Sequence, residues 1–153
     1  MSDRPQPSAA PAIDVGRTTP ILRVADLDAS LAYYADALGF VARFRVDGFA
    51  QVERGRAVLM LCEGDQGHAG TWAYVGVSDA DALHSELRAR GARVRHAPTN
   101  YPWGARELHV TDPDGHVLRF GSESVPGEPV GEWLDGKGVR WLPQPDGSWR
   151  AAE

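Results

Sequence analysis

Lysine and cysteine are almost missing from this chain: Lys137 and Cys62 are each the sole residue of their kind among 153. With a net charge of -5 and no basic face to read from the sequence, nucleic-acid binding is excluded as an expectation. A single cysteine excludes an intramolecular disulfide and suits a reducing, cytoplasmic compartment, where Cys62 is read as lining a strand. No apolar stretch approaches the length of a membrane span, so no membrane partner is expected. A Ser-His-Asp order, a phosphate-cradling glycine loop and a paired-carboxylate motif are absent too, and with them the commonest hydrolase and nucleotide-binding signatures. Residues 1–16 hold Pro5, Pro7 and Pro11 and neither a basic start nor an apolar run, which predicts a disordered arm rather than a signal peptide.

What the chain does have is hydrophobic residue at 42% of positions, enough for one well-buried domain. Its charge is uneven. Residues 17–121 carry twelve arginines against thirteen Asp and Glu, so this stretch is near neutral and the excess negative charge sits at the two ends.

The apolar runs follow a repeated order. Ile21 to Ala25 is β-prone, and Asp26 is placed to cap a helix defined by Leu27, Leu31, Tyr34 and Leu38, which Gly39 stops. Val41 to Val46, Phe49 to Arg54 and Ala57 to Cys62 read as strands separated by Asp47-Gly48 and Gly55. After a glycine-rich loop from Glu63 to Gly70 the order recurs. Trp72 to Val77 is a strand, Asp79 caps a helix using Ala80, Leu83 and Leu87, and strands follow at Arg93 to Ala97, Leu108 to Thr111 and His116 to Phe120. The Asp112-Pro113-Asp114-Gly115 turn joins the last two as a hairpin.

The fold class that follows is α+β, with two tandem β-α-β-β-β modules over 17–121. Helices cover one face, and a curved mixed sheet leaves a cleft on the other. Residues 122–153 form an extension in which Trp133, Trp141 and Trp149 recur every eight residues among turn formers. That spacing predicts two or three very short strands with the tryptophans on one side, packed on the body or on a partner subunit.

The duplicated order, the PILRVADLDASLAYYADALGF opening and the PWGARELHVTDPDGHVLRF close resemble the vicinal oxygen chelate superfamily, which includes glyoxalase I, extradiol dioxygenases and bleomycin resistance proteins. Phe44, Phe49 and Tyr101-Pro102-Trp103-Gly104 look like the antibiotic-binding branch. The resemblance places the four metal-ligand positions of the superfamily's enzymes on Thr19, Met60, Trp72 and Arg119. None supplies an imidazole or a carboxylate, Met is a soft ligand, and Arg is a permanent cation that repels a metal ion. A shift of one residue lands on apolar Leu59, Leu61, Leu118 or Phe120. No metal, no other cofactor and no catalytic residue are expected.

In bleomycin resistance proteins, the resemblance implies, aromatics hold a flat bithiazole in clefts at a dimer interface. The candidate ligand-binding residues here are Phe44, Phe49, Tyr101, Trp103 and Glu107. Trp103 lies in a loop between Pro102 and Gly104, where core packing explains it least, whereas Phe44 and Phe49 also fit ordinary strand packing. Glu107 is placed to pair with a cationic ligand or with Arg106 or Arg119. His109 and His116 flank the turn as a possible pair, and His96 ends a strand near the cleft. The implied function is metal-independent sequestration of a small planar, cationic antibiotic of the bleomycin type by a cytoplasmic homodimer. Two alternatives stay open: a lyase or dioxygenase-like enzyme of the same superfamily with a relocated metal, and a metabolite-binding module in which Trp103 is structural.

Overall fold

The computed structural model describes residues 13–153, so most of the expected arm at 1–16 lies outside the described residues. The first module comprises β1 (Ile21–Arg23), α1 (Leu27–Asp36), β2 (Val41–Val46), β3 (Phe49–Arg54) and β4 (Ala57–Cys62). The second comprises β5 (Trp72–Gly76), α2 (Ala80–Ala89), β6 (Arg93–Asn100), β7 (Ala105–Thr111) and β8 (Val117–Glu123). Both helices start where a carboxylate satisfies an orphan N–H. Asp26 accepts from Ala29 N and Asp79 from Ala82 N, each at 2.9 Å.

Each module folds into its own four-stranded mixed sheet, ordered β1-β4-β3-β2 and β5-β8-β7-β6. The pairs β1–β4 and β5–β8 are parallel and the remaining ladders antiparallel. This is the α+β arrangement of two mixed-sheet modules expected from the sequence, and no ladder joins one sheet to the other among the described residues. Alternation along each strand sends Leu22, Ala50, Val52, Leu59 and Leu61 of the first sheet, and Leu108, Val110, Leu118 and Phe120 of the second, into one continuous core with Tyr34, Leu83 and Leu87 of the helices. The opposite face of each sheet is left for other uses.

The Asp112–Gly115 turn is what locks one module to the other. Asp112 Oδ1 accepts from the Asp114 and His116 amides at 2.9 Å, which shapes the turn, while its Oδ2 accepts the buried Tyr34 hydroxyl of α1 at 3.0 Å. Asp114 accepts Ala25 N at 2.8 Å, and His116 Nε2 donates to the Arg23 carbonyl at 2.6 Å while its Nδ1 accepts Thr71 N at 3.0 Å. His116 is fully buried and structural, so it does not join His109 in a pair.

Several strand boundaries differ from the sequence expectation, and two of them shape the site. β6 continues through Pro98 to Asn100, and its pairing with β7 shifts register on both sides of His96, the kind of irregularity that lets a strand carry proline. β7 begins at Ala105, since the ladder to β8 extends to Ala105↔Glu123.

The extension forms a small antiparallel sheet of β9 (Trp133–Leu134), β10 (Arg140–Pro143) and β11 (Trp149–Ala151), with β10 central. Trp133 stacks on Trp141 at 6.4 Å and meets the edge of Trp149 at 6.2 Å. Buried Asn100 ties this extension to the body, its amide donating to the Val125 and Glu128 carbonyls at 2.9 and 3.2 Å. Among the described residues no helix is long and apolar enough to cross a membrane.

Candidate ligand-binding site

The turn between β6 and β7 places the site's main aromatic. Tyr101 N bonds the Ala105 carbonyl at 2.8 Å, and Gly104 takes the left-handed φ of +83° that closes so tight a loop. The turn folds Trp103 back over Tyr101, ring on ring at 4.6 Å and 8°. The Trp103 indole N–H donates to Glu107 Oε1 at 2.8 Å, which fixes the plane of the ring while leaving Trp103 49% exposed.

Glu107 is the hub beneath it. Its carboxylate is fully buried and accepts a two-pronged bond from Arg119, Nε to Oε2 and Nη2 to Oε1, both at 2.9 Å. His109 Nε2 lies 3.1 Å from Oε2. Burial alone would raise the carboxyl's pKa, but the bonds from Trp103, His109 and Arg119 and the charge of Arg119 hold it below the ordinary carboxylate value. His109 moves down because burial disfavours its cation and Arg119 and His96 repel it, although its bond to Glu107 pulls upward. Arg106, the other arginine considered for Glu107, instead binds Asp81.

Side-chain alternation collects the rest on the same face. Tyr74, Arg119, His109 and His96 lie opposite one another across β5, β8, β7 and β6. The Arg119 guanidinium lies 5.8 Å from the Trp103 ring centre and 5.9 Å from that of Tyr74. Trp72 meets the His109 ring edge-on at 5.7 Å, and Arg95 sits 5.1 Å over Trp72. Trp133 closes the far side, with its ring edge-on to Trp103 at 5.8 Å. All of these groups except Tyr74 line a cavity of about 280 Å³, at the small end for ligand sites.

Of the five candidates, Tyr101, Trp103 and Glu107 come together here, whereas Phe44 and Phe49 lie on the first sheet. Phe44 is opposite Gln51, and Phe49 opposite Val46. Sequence reasoning missed Arg95, whose direction depends on the β6 register shift, and it favoured packing over a ligand lid for the tail tryptophans, of which Trp133 forms a wall of the cavity. A larger groove of about 940 Å³ runs between the modules past Phe40, Leu59 and Leu83. Its Arg54 and Glu86 are paired at 2.8 Å, and none of the five candidate residues lines it.

A metal centre does not fit the superfamily's usual positions. Trp72 and Arg119 are walls of the aromatic cavity, Arg119 is forked onto Glu107, and Met60 lies between Ile21 and Gln51 on its neighbouring strands. Among the described residues no three His, Cys, Asp or Glu side chains are grouped to hold an ion. Glu63 of the glycine-rich loop accepts Leu27 N at 2.8 Å, acting as a second cap on α1.

Two β-α-β-β-β modules, each with a helix behind a sheet and an open face in front, define a glyoxalase-like protein. The family model of the Glyoxalase/Bleomycin resistance protein/Dioxygenase superfamily matches residues 15–120, and the chain belongs to that superfamily. No curated protein matches it. Similar solved structures include the bleomycin-binding protein from bleomycin-producing Streptomyces verticillus complexed with copper(II)-bleomycin, at 28% identity and TM-score 0.62 over 74% of this chain and 100% of that one. A bleomycin-binding protein complexed with bleomycin is 26% identical, with TM-score 0.61 over 72% of this chain and 100% of that one. A glyoxalase/bleomycin resistance protein/dioxygenase from Nocardioides is 25% identical, with TM-score 0.60 over 77% and 90%.

Proposed function

We propose that this protein binds and sequesters a small compound with a flat heteroaromatic part, of the bleomycin type, without metal and without covalent chemistry. The observation that carries this reading is the fixed Trp103 face. Its partner Glu107 is buried with both oxygens occupied, so the indole is pre-set for stacking before any ligand arrives. Glu107 is then a positioning residue. Tyr101 backs the tryptophan, and Trp72 and Trp133 supply further flat surface. Similar structures that hold bleomycin support the ligand class.

The reading includes a cytoplasmic homodimer. Phe44 and Trp72 are about half exposed on the open sheet faces, which supports a second chain covering them and bringing Phe44 and Phe49 to the ligand as an opposite wall.

Isothermal titration of the full chain with bleomycin tests this. Saturable heat is expected, and Trp103→Ala should weaken affinity about tenfold or more, as loss of a stacked face implies. Absence of heat, or equal affinity in Trp103→Ala, would overturn the assignment.

A further inference from the structure

Resting on that reading, we infer that the part of the ligand inside this cavity is a planar aromatic ring system carrying an anionic group, an aryl carboxylate or its equivalent. The sequence pointed to a cation. The charges around the cavity point the other way.

Three guanidinium groups line it, on Arg95, Arg119 and Arg140, against the carboxylate of Glu132 at the rim. Glu132 is paired with Arg140 at 3.4 Å. Glu107 is no free anion, because it is fully buried and holds Trp103, Arg119 and His109. The positive charge left uncompensated is therefore that of Arg95, which lies over Trp72 and forms no ion pair among the described residues.

The hydrogen-bonding inventory agrees with the charge. Arg119 uses Nε and Nη2 on Glu107, leaving Nη1 without a protein acceptor among the described residues. Trp133 Nε1 is buried and unpartnered. Unused donors beside stacked rings match an acceptor-rich group on a flat ligand, and guanidinium geometry favours carboxylate in particular. A cation in the same place would face uncompensated like charge. Any positive group on the same ligand lies outside the cavity.

Titration of the full chain with three probes of one shape tests the inference: 2-naphthoate, 2-naphthamide and 2-naphthylmethylammonium. Naphthoate is expected to bind at least about tenfold tighter than the amide, and the ammonium weakest. Arg95→Met should lower naphthoate affinity about tenfold while leaving the amide unchanged, and Arg95→Lys should restore part of it. The exposed Arg95 can be changed without emptying the core. Equal or tighter binding of amide or ammonium overturns the inference, as does an Arg95→Met protein with unaltered preference. Bleomycin binding with no probe bound overturns it while sparing the drug-binding reading. Naphthoate binding without bleomycin binding supports it and removes the bleomycin assignment.

Discussion

At the scale of single residues, the site depends on which group stands beneath Trp103. Glu107 is tolerable in the interior because Arg119 neutralises it, and Arg119 is only partly solvent-exposed, with a third of its side chain accessible. Replacing Arg119 by Met leaves the carboxylate buried with two weaker partners. Breaking such a pair costs about 3–5 kcal/mol in a dry interior, and the partial exposure of Arg119 points to about 2–3 kcal/mol here. The sign of the pH dependence follows from the shift. The lowered pKa of Glu107 contributes stability above its unfolded value, and this is lost as pH falls through the folded one. His109, also shifted down, acts in the same direction, since its folded form resists the proton that the unfolded chain accepts near its ordinary value. In Arg119→Met, burial is offset only by the bonds from Trp103 and His109 and the carboxyl moves up, so acid destabilisation should begin at higher pH. Urea unfolding from neutral to acidic pH measures both effects. An unchanged acid profile would show that Glu107 is not held by Arg119.

At the scale of elements, β1 is a short edge strand, and the loop after β4 shields it. A side-chain carbon at Gly67 would lie 2.6 Å from the Ile21 carbonyl oxygen, and Gly67 also has a φ of +74°. Gly70 has the same φ with no atom nearby. Gly70→Ala should therefore cost only the left-handed penalty, about 1–2 kcal/mol. Gly67→Ala adds an overpacking cost of about 1–3 kcal/mol. By thermal unfolding, each kcal/mol corresponds to a fall of about 2–4 °C at this chain length. Equal melting shifts would mean that the loop does not hold β1.

The same elements show how far the chain could be read without coordinates. Helix starts at Asp26 and Asp79, their apolar spacing, and the Asp112–Gly115 hairpin are local signals, and they appear as expected. Tyr101, Trp103 and Glu107 were legible as neighbours because one hairpin brings them together. Arg95 and Trp133 were not. The first depends on the register shift between Val94 and His96, which side-chain alternation does not encode, and the second on long-range docking through Asn100. The Arg119–Glu107 pair was within reach, since both residues face one way on adjacent strands, but Arg106 competed for the same carboxylate until Asp81 on α2 was seen to claim it.

At the scale of the whole molecule, the two open sheet faces carry surface that a lone chain leaves in water. Val41, Phe44 and Val46 of β2 are 51%, 52% and 50% exposed, and Trp72 and Tyr74 of β5 are 49% and 57% exposed. β5 is also a sheet edge, with one row of backbone groups unused by its own sheet. Apolar surface grouped beside an unpaired edge favours association, since each buried Phe- or Val-sized side chain contributes about 1.5–3 kcal/mol. Sedimentation of the full chain is expected to give twice the monomer mass at micromolar concentration. Phe44→Glu puts a charge into that contact without touching the core, and it should shift the equilibrium toward monomer while leaving the melting curve of the monomer nearly unchanged. Because the first sheet is expected to face the ligand across the pair, Phe44→Glu should also weaken bleomycin binding, and more so at low protein concentration. A protein that sediments as a monomer and binds equally well with Phe44→Glu would confine the site to the Trp103 cavity of one chain.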